Sequence, residues 1–214
     1  MIIVGTVLGL ACFLFIGWVI STEMFQQRSW RRRVASGDHM IVEALILEAM
    51  AAWRRARPPR DVPASLWAGV QRAELATATT SLAVVQSSAE GEFRSVDGHR
   101  EQVSSAIDEA FALAARLVEM MLYDVPNLSL GSVRVDVYST FTADGGAALQ
   151  KPILTTTACR PEAEGIDWEE LAPVEILSRF ETIVHVSEDG LATPIVLPPI
   201  PSPSLASERD LEGI

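Results

Sequence analysis

Lysine is almost missing from this chain. Of seventeen basic residues in 214, only Lys151 is a lysine and the rest are arginine. Cysteine is equally scarce. Cys12 lies in an apolar run and Cys159 in an expected strand, so the two cannot meet in one bridge, and a disulfide-built scaffold is excluded. The three histidines, His39, His99 and His185, stand far apart, and none has the H-x-x-x-H spacing that puts two imidazoles on one helix face. Cap, surface or strand-filling roles suit them better than metal. No G-x-S-x-G, P-loop or dinucleotide glycine pattern occurs. Aromatic residues make up only 7%, which leaves packing to Ala, Leu and Val. These absences leave no catalytic residue, no metal ligand and no cofactor site to assign, and the expectation is a protein that is not an enzyme.

What charge there is lies unevenly. Residues 21–60 hold eight arginines against four acids, whereas residues 61–214 hold nine basic residues against twenty-four acids. The acidic distal part would repel a nucleic-acid backbone, so nucleic acid is excluded as a partner. The acids that fall in pairs, Glu162 with Glu164, Glu169 with Glu170 and Glu188 with Asp189, sit in expected turns or helix starts, where they serve as solvated or capping groups. Cys159 lacks a sequence-adjacent activating partner and reads as a small core residue.

Residues 2–20 run for nineteen positions without a charge, close to the roughly 20 residues needed to cross a bilayer at about 1.5 Å rise each. Arg28, Arg31, Arg32 and Arg33 follow as a basic collar, which orients such a span with the carboxyl side in the cytoplasm. The expectation is therefore a single-pass inner-membrane protein with its amino terminus outside and the lipid bilayer as a partner. A cleaved signal peptide is the competing reading. It is opposed by the lack of an amino-terminal Lys or Arg, by the length of the run and by arginines on the wrong side for export. If it held, Asn127-Leu128-Ser129 would become a formal glycosylation sequon. Gly5, Gly9 and Gly17 form a small-residue stripe on which another membrane helix can pack.

Past the collar, an N-cap at Asp38 predicts a helix over 39–57 with Val42, Leu45, Ile46, Ala49 and Trp53 as its apolar stripe, stopped by Pro58-Pro59. Pro63 opens a second helix, whose stripe Leu66, Val70, Ala73, Thr77, Thr80 and Val84 predicts an antiparallel helical pair, although the Thr-rich part has strand propensity. A loop over 87–98 precedes a helix over 99–123, with Val103, Ile107, Phe111, Ala114, Leu117, Val118 and Met121 on one side. Val133, Val135 and Val137, alternating with Arg134, Asp136 and Tyr138, predict a strand, and Asp144-Gly145-Gly146 turns into another over 153–159. Asp167 with Glu170 caps a short turn. Pro173 opens a helix with Ile176, Leu177 and Phe180 inside, and residues 182–197 close as a hairpin. The prolines from Pro198 keep the tail extended.

The fold class predicted is thus α+β: one transmembrane helix, a helical hairpin spacer and a small antiparallel αββαββ domain. Its parts are an anchor and collar (1–35), a helical segment (36–90), the α+β domain (91–197) and a proline-rich tail (198–214). Lys151-Pro152-Ile153-Leu154-Thr155, then Arg160, Ile166-Asp167, Leu171, Pro173, Leu177, Phe180 and Thr193-Pro194-Ile195, resemble the accessory segment that precedes the catalytic domain in some Mrr-like restriction-endonuclease family proteins. The resemblance implies a non-catalytic adaptor module. Cleavage in that family depends on a later domain, and Asp136 is not followed by a matching E-x-K.

Together these features predict a non-enzymatic accessory or scaffolding subunit of a bacterial membrane complex, for example a photosynthetic or respiratory assembly, with other membrane-protein subunits as partners. The alternative is a membrane-tethered regulatory or defence-related sensor or adaptor that binds a protein or small ligand. A tethered hydrolase is the third possibility, and it would need a triad assembled without local sequence cues.

Overall fold

A computed structural model describes residues 39–96, 99–142 and 146–200. The first helix, α1 (His39–Arg55), buries Val42, Ile46, Ala49 and Met50, an i, i+4, i+7, i+8 stripe, and carries Arg54 and Arg55 in its last turn. It is followed by α2 (Ala64–Arg72), which buries Trp67 and Val70. The Trp67 indole N–H donates to the Ala56 carbonyl at 3.2 Å, tying the two helices at their junction.

The second helix stops far short of the predicted end. After Arg72 the chain turns at Ala73 and forms β1 (Glu74–Ala78) and β2 (Leu82–Ser88), an antiparallel pair. The reason is visible in the burial: Ala83, Val84 and Val85 are successive and all fully buried. A strand covered on both faces has no period-two pattern, and such a short apolar run matches a helical stripe equally well. The predicted helical hairpin spacer is therefore corrected, since residues 74–88 belong to the sheet.

A second two-stranded pair, β3 (Glu92–Val96) with β4 (His99–Ser104), occupies what the sequence predicted as loop and helix start. The helix begins seven residues later than predicted, as α3 (Ala106–Glu119). Ser105 is its cap: the Ser105 Oγ accepts from the Asp108 N–H at 3.2 Å, and Asp108 Oδ2 accepts from the Ser105 N–H at 3.3 Å. Val103, expected on the apolar stripe, lies before this cap and is half exposed. Beyond Glu119 the backbone widens into a π-helical turn, Met120–Asp124.

The main sheet is completed by β5 (Ser132–Thr142), β6 (Ala148–Cys159), β7 (Glu181–Val186) and β8 (Ala192–Thr193), with two short helices, α4 (Arg160–Ala163) and α5 (Pro173–Leu177), between β6 and β7. Its order is β1-β2-β5-β6-β7-β8. All neighbours are antiparallel except β2 and β5, which run parallel and are joined across the sheet by α3. The predicted αββαββ antiparallel layer is thereby corrected to a six-stranded mixed sheet within an α+β fold.

Arg160 locks the far end of this layer. Its Nε donates to the Leu130 carbonyl at 2.8 Å, its Nη2 to the Leu122 carbonyl, and its guanidinium lies 5.1 Å from the centre of the Tyr123 ring. Trp168 meets Tyr123 edge-on and stacks against Phe180.

The membrane architecture and the inner-membrane placement are corrected as well. Among the described residues no helix is long and apolar enough to cross a membrane. The longest, α1, has 17 residues, includes Glu43, Glu48, Arg54 and Arg55, and turns its apolar stripe into the protein core. The run 2–20 and the collar lie outside the described residues.

Candidate binding site on the uncovered sheet face

Strand alternation sorts the side chains of β2, β5 and β6 onto two faces. Val133, Val135 and Val137 pair with Ala158, Thr156 and Leu154 and lie under α2 and α3. On that side the hydroxyls of the strands are matched: Ser87 Oγ donates to the Gly69 carbonyl of α2 at 2.7 Å, and Thr156 shares a hydrogen bond with Thr182, which donates to the Leu177 carbonyl. A Cβ on Gly69 would come within 2.9 Å of the Leu113 side chain, so the bare glycine lets α2 and α3 approach this closely.

The opposite face aligns Val84 with Arg134, Gln86 with Asp136, Ser88 with Tyr138, and Asp136 with Thr155. Arg134 and Asp136 are only 4% and 3% exposed, deep for an ion pair on the side away from the helices. Arg134 Nε donates to Asp136 Oδ1 at 2.8 Å, and the Thr155 hydroxyl donates to the same oxygen at 2.5 Å. The cover over the pair is the chain's own carboxyl-side segment. Ile195 is buried and its N–H donates to the Pro152 carbonyl at 2.9 Å; the backbone then crosses the face, and Arg134 Nη1 donates to the Pro198 carbonyl at 2.8 Å and the Pro199 carbonyl at 3.5 Å.

One donor stays unmatched. Arg134 Nη2 is buried and has no hydrogen-bond partner. The Arg134 residue lines a cavity of about 170 Å³ together with Leu82, Thr155, Thr157, Glu181, Ile183, Pro198 and Pro199. A buried guanidinium N–H without an acceptor forgoes roughly 1–3 kcal/mol; among the described residues Ser65 Oγ and Arg116 Nε are likewise buried without a partner, but neither lies on this face.

A wider cleft of about 670 Å³ lies where β2 and β5 end, bordered by Arg54, Arg72, Gln86, Tyr138 and Gln150 among others. Its cations are already used in the fold: Arg54 Nη2 donates to the Ala73 carbonyl and Arg72 Nη2 to the Ser88 carbonyl. Burial, and next the Asp136 charge, push the Tyr138 phenol above its ordinary value, while Arg134 pulls partly the other way. A third cleft brings Glu90, Glu92 and Glu109 near one another, but Glu90 accepts from Ser139 and Thr140, and Glu109 accepts from Ser104. No group of three or more His, Cys, Asp or Glu placed to hold a metal occurs among the described residues.

The residues singled out from the sequence are not brought together. His39 opens α1, His99 opens β4 and His185 lies exposed on β7. Cys159 is a free, half-buried thiol at the end of β6. Glu169 and Glu170 give their backbone N–H groups to Asp167 Oδ1 in a turn. Gly5, Gly9, Gly17, Arg28, Arg31, Arg32 and Arg33 lie outside the described residues. What sequence reasoning missed is Arg134 with Asp136. Their alternation with valines was read correctly, but only the crossing segment turns that outward face into an interior. No family model, no curated protein and no solved structure matches the chain.

Proposed function

We propose that the chain is a non-catalytic docking module, an adaptor or accessory subunit that engages a partner protein through the sheet face opposite its helices. Membrane anchorage forms no part of this reading. The observation that carries it is the buried Arg134, whose Nη2 has no hydrogen-bond partner and which lines a small cavity together with Pro198 and Pro199. A fixed, desolvated donor on a rigid sheet is a recognition element, because its hydrogen bond is completed only by a partner. The resemblance of residues 151–197 to accessory segments of Mrr-like proteins points the same way.

The test is the state of the protein at native abundance. Tagged protein purified gently and weighed by native mass spectrometry should carry a stoichiometric partner. Thr157→Arg, which fills the cavity, should release that partner, and Leu47→Ser on the outer surface of α1 should not. A bare monomer, or a complex indifferent to Thr157→Arg, defeats the reading.

A second reading has its own support. The 670 Å³ cleft presents Gln86, Gln150 and Tyr138, polar groups suited to a small uncharged ligand. A metabolite panel that raises the melting temperature of the wild-type protein but not of Tyr138→Phe with Gln86→Ala would favour this sensor form. Absence of any shift removes it.

A further inference from the structure

The segment lying over Arg134 shows which chemistry the site accepts. A guanidinium offers five N–H donors and no acceptor, so it is matched by carbonyl oxygens that arrive without N–H groups needing partners of their own. An ordinary strand cannot supply that, because each carbonyl comes with an amide donor. Consecutive prolines can: each has a carbonyl and no N–H, and the extended polyproline conformation forms no internal hydrogen bonds. Pro198 and Pro199 meet Arg134 in this way.

The seating is nevertheless incomplete and shallow. Nη2 finds no acceptor in the protein, and the segment leaves a cavity of about 170 Å³ between itself and the sheet residues Thr155, Thr157 and Ile183. Beyond Ile195 the segment buries little: Val196 is 90% exposed, Pro198 and Pro199 are exposed, and Ile200 is 45% exposed. The two bonds from Arg134 and the Ile195 pin are the hydrogen bonds that hold it to the sheet among the described residues. Such a segment can leave the face at small cost, whereas a better-fitting one would also satisfy Nη2.

Resting on the docking-module reading, we propose that the face around Arg134 is a recognition site for a proline-rich extended segment of another polypeptide, and that residues 196–200 occupy it as an intramolecular competitor. The partner segment presents two or more successive prolines flanked by aliphatic residues, as Leu197-Pro198-Pro199-Ile200 does here. Leu82 and Ile183 are the aliphatic surface for those flanks, and Thr157 is a further donor.

The test uses a fluorescent peptide with the sequence of residues 194–200 and anisotropy titration against the full chain. The unmodified protein should bind it weakly, because apparent affinity falls with the fraction of molecules whose site is open, and a Pro198→Gly, Pro199→Gly variant should bind about tenfold more tightly. Arg134→Lys placed in that loosened variant keeps a cation beside Asp136 and so preserves the fold, which circular dichroism checks. It lacks the planar fork, and binding should drop by about tenfold or more. A peptide with glycine in place of both prolines should also lose affinity. No binding by the loosened variant, or binding indifferent to Arg134→Lys, overturns the proposal. Equal affinity with the segment intact or loosened removes the competitor. A concentration-dependent dimer abolished by deleting residues 196–214 assigns the site to a second copy and overturns the partner-protein form. If the peptide fails while native mass spectrometry still finds a partner sensitive to Thr157→Arg, the proline specificity is wrong and the docking reading stands.

Discussion

The two faces of the six-stranded sheet put their side chains to different use. Under α2 and α3, Ala83, Val85, Val133, Val135, Val137 and Leu154 are fully buried, and the strand hydroxyls of Ser87, Thr156 and Thr182 have each found a carbonyl or another hydroxyl. On the other side an ion pair and two threonines lie against one strand-thick segment rather than a layer of helix, and Tyr138 borders the wider cleft. The first face is built for stability, since apolar area removed from water is its main term. The second gives up stability for polarity, because a buried ion pair is often no better than hydrophobic residues of equal volume. A sheet that needed only to fold would not carry Arg134 and Asp136 there.

The strongest way to break this contrast is to unbalance the pair. Arg134→Met leaves Asp136 buried and uncompensated and should lower unfolding free energy by about 3–5 kcal/mol, whereas adding Asp136→Leu should recover most of the loss. Urea denaturation of the single and double variants decides it. If the single change is harmless, the pair is not a dry one.

On the helical face the expected loss comes from packing alone. Leu117 of α3 is fully buried, and Leu117→Ala should lower stability by about 3 kcal/mol through lost transfer energy and an unfilled cavity. The same urea series measures it. No second-site change on the polar face should restore it, because the two faces share no polar partner. Smaller again is the loss from Ser105→Ala, which removes the cap of the helix covering that face and should cost about 1 kcal/mol. Hydrogen exchange of the Asp108 amide, which would lose its acceptor, should rise with it.

The mildest probe is pH. The Tyr138 phenol is held above its ordinary value of 10.0, so the folded state favours the protonated form. Below that pH both states keep the proton and the contribution is whole. As pH rises further the unfolded phenol ionises first, so stability falls and is lost through the folded value. Tyr138→Phe should flatten the alkaline limb of a stability–pH curve; an unchanged limb would place the phenol in water.

How legible the molecule was depends on how many sides of each element are covered. The α1 stripe, the Asp167 turn and the helix opened by Pro173 each have one wet side, and β5, buried on both, still alternates because its second face is polar; these patterns show in the sequence. The stripe through Thr77, Thr80 and Val84 matches a helix because β2 has no wet side. His99–Ser104 was drawn into the following helix because Val103 stands four residues before Ile107, although Ser105 and Asp108 together mark where the helix starts. For the candidate site, alternation placed Arg134 and Asp136 on one face and proline content predicted an extended tail. That the tail would lie across that face is a long-range contact, spanning 64 residues from Arg134 to Pro198, and local pattern contains nothing about it.

The single parallel seam in the sheet bears on how the protein is made. β2 cannot acquire its neighbour β5 until the intervening residues 89–131 have been synthesised, and pairings this remote in sequence form slowly. On the ribosome, Ala83-Val84-Val85 therefore waits with an unpaired edge and without α3 or the 195–199 segment, the kind of segment that sticks to other nascent chains. Overproduction at low temperature or with a holding chaperone should raise the soluble yield for that reason, independently of how stable the finished domain is.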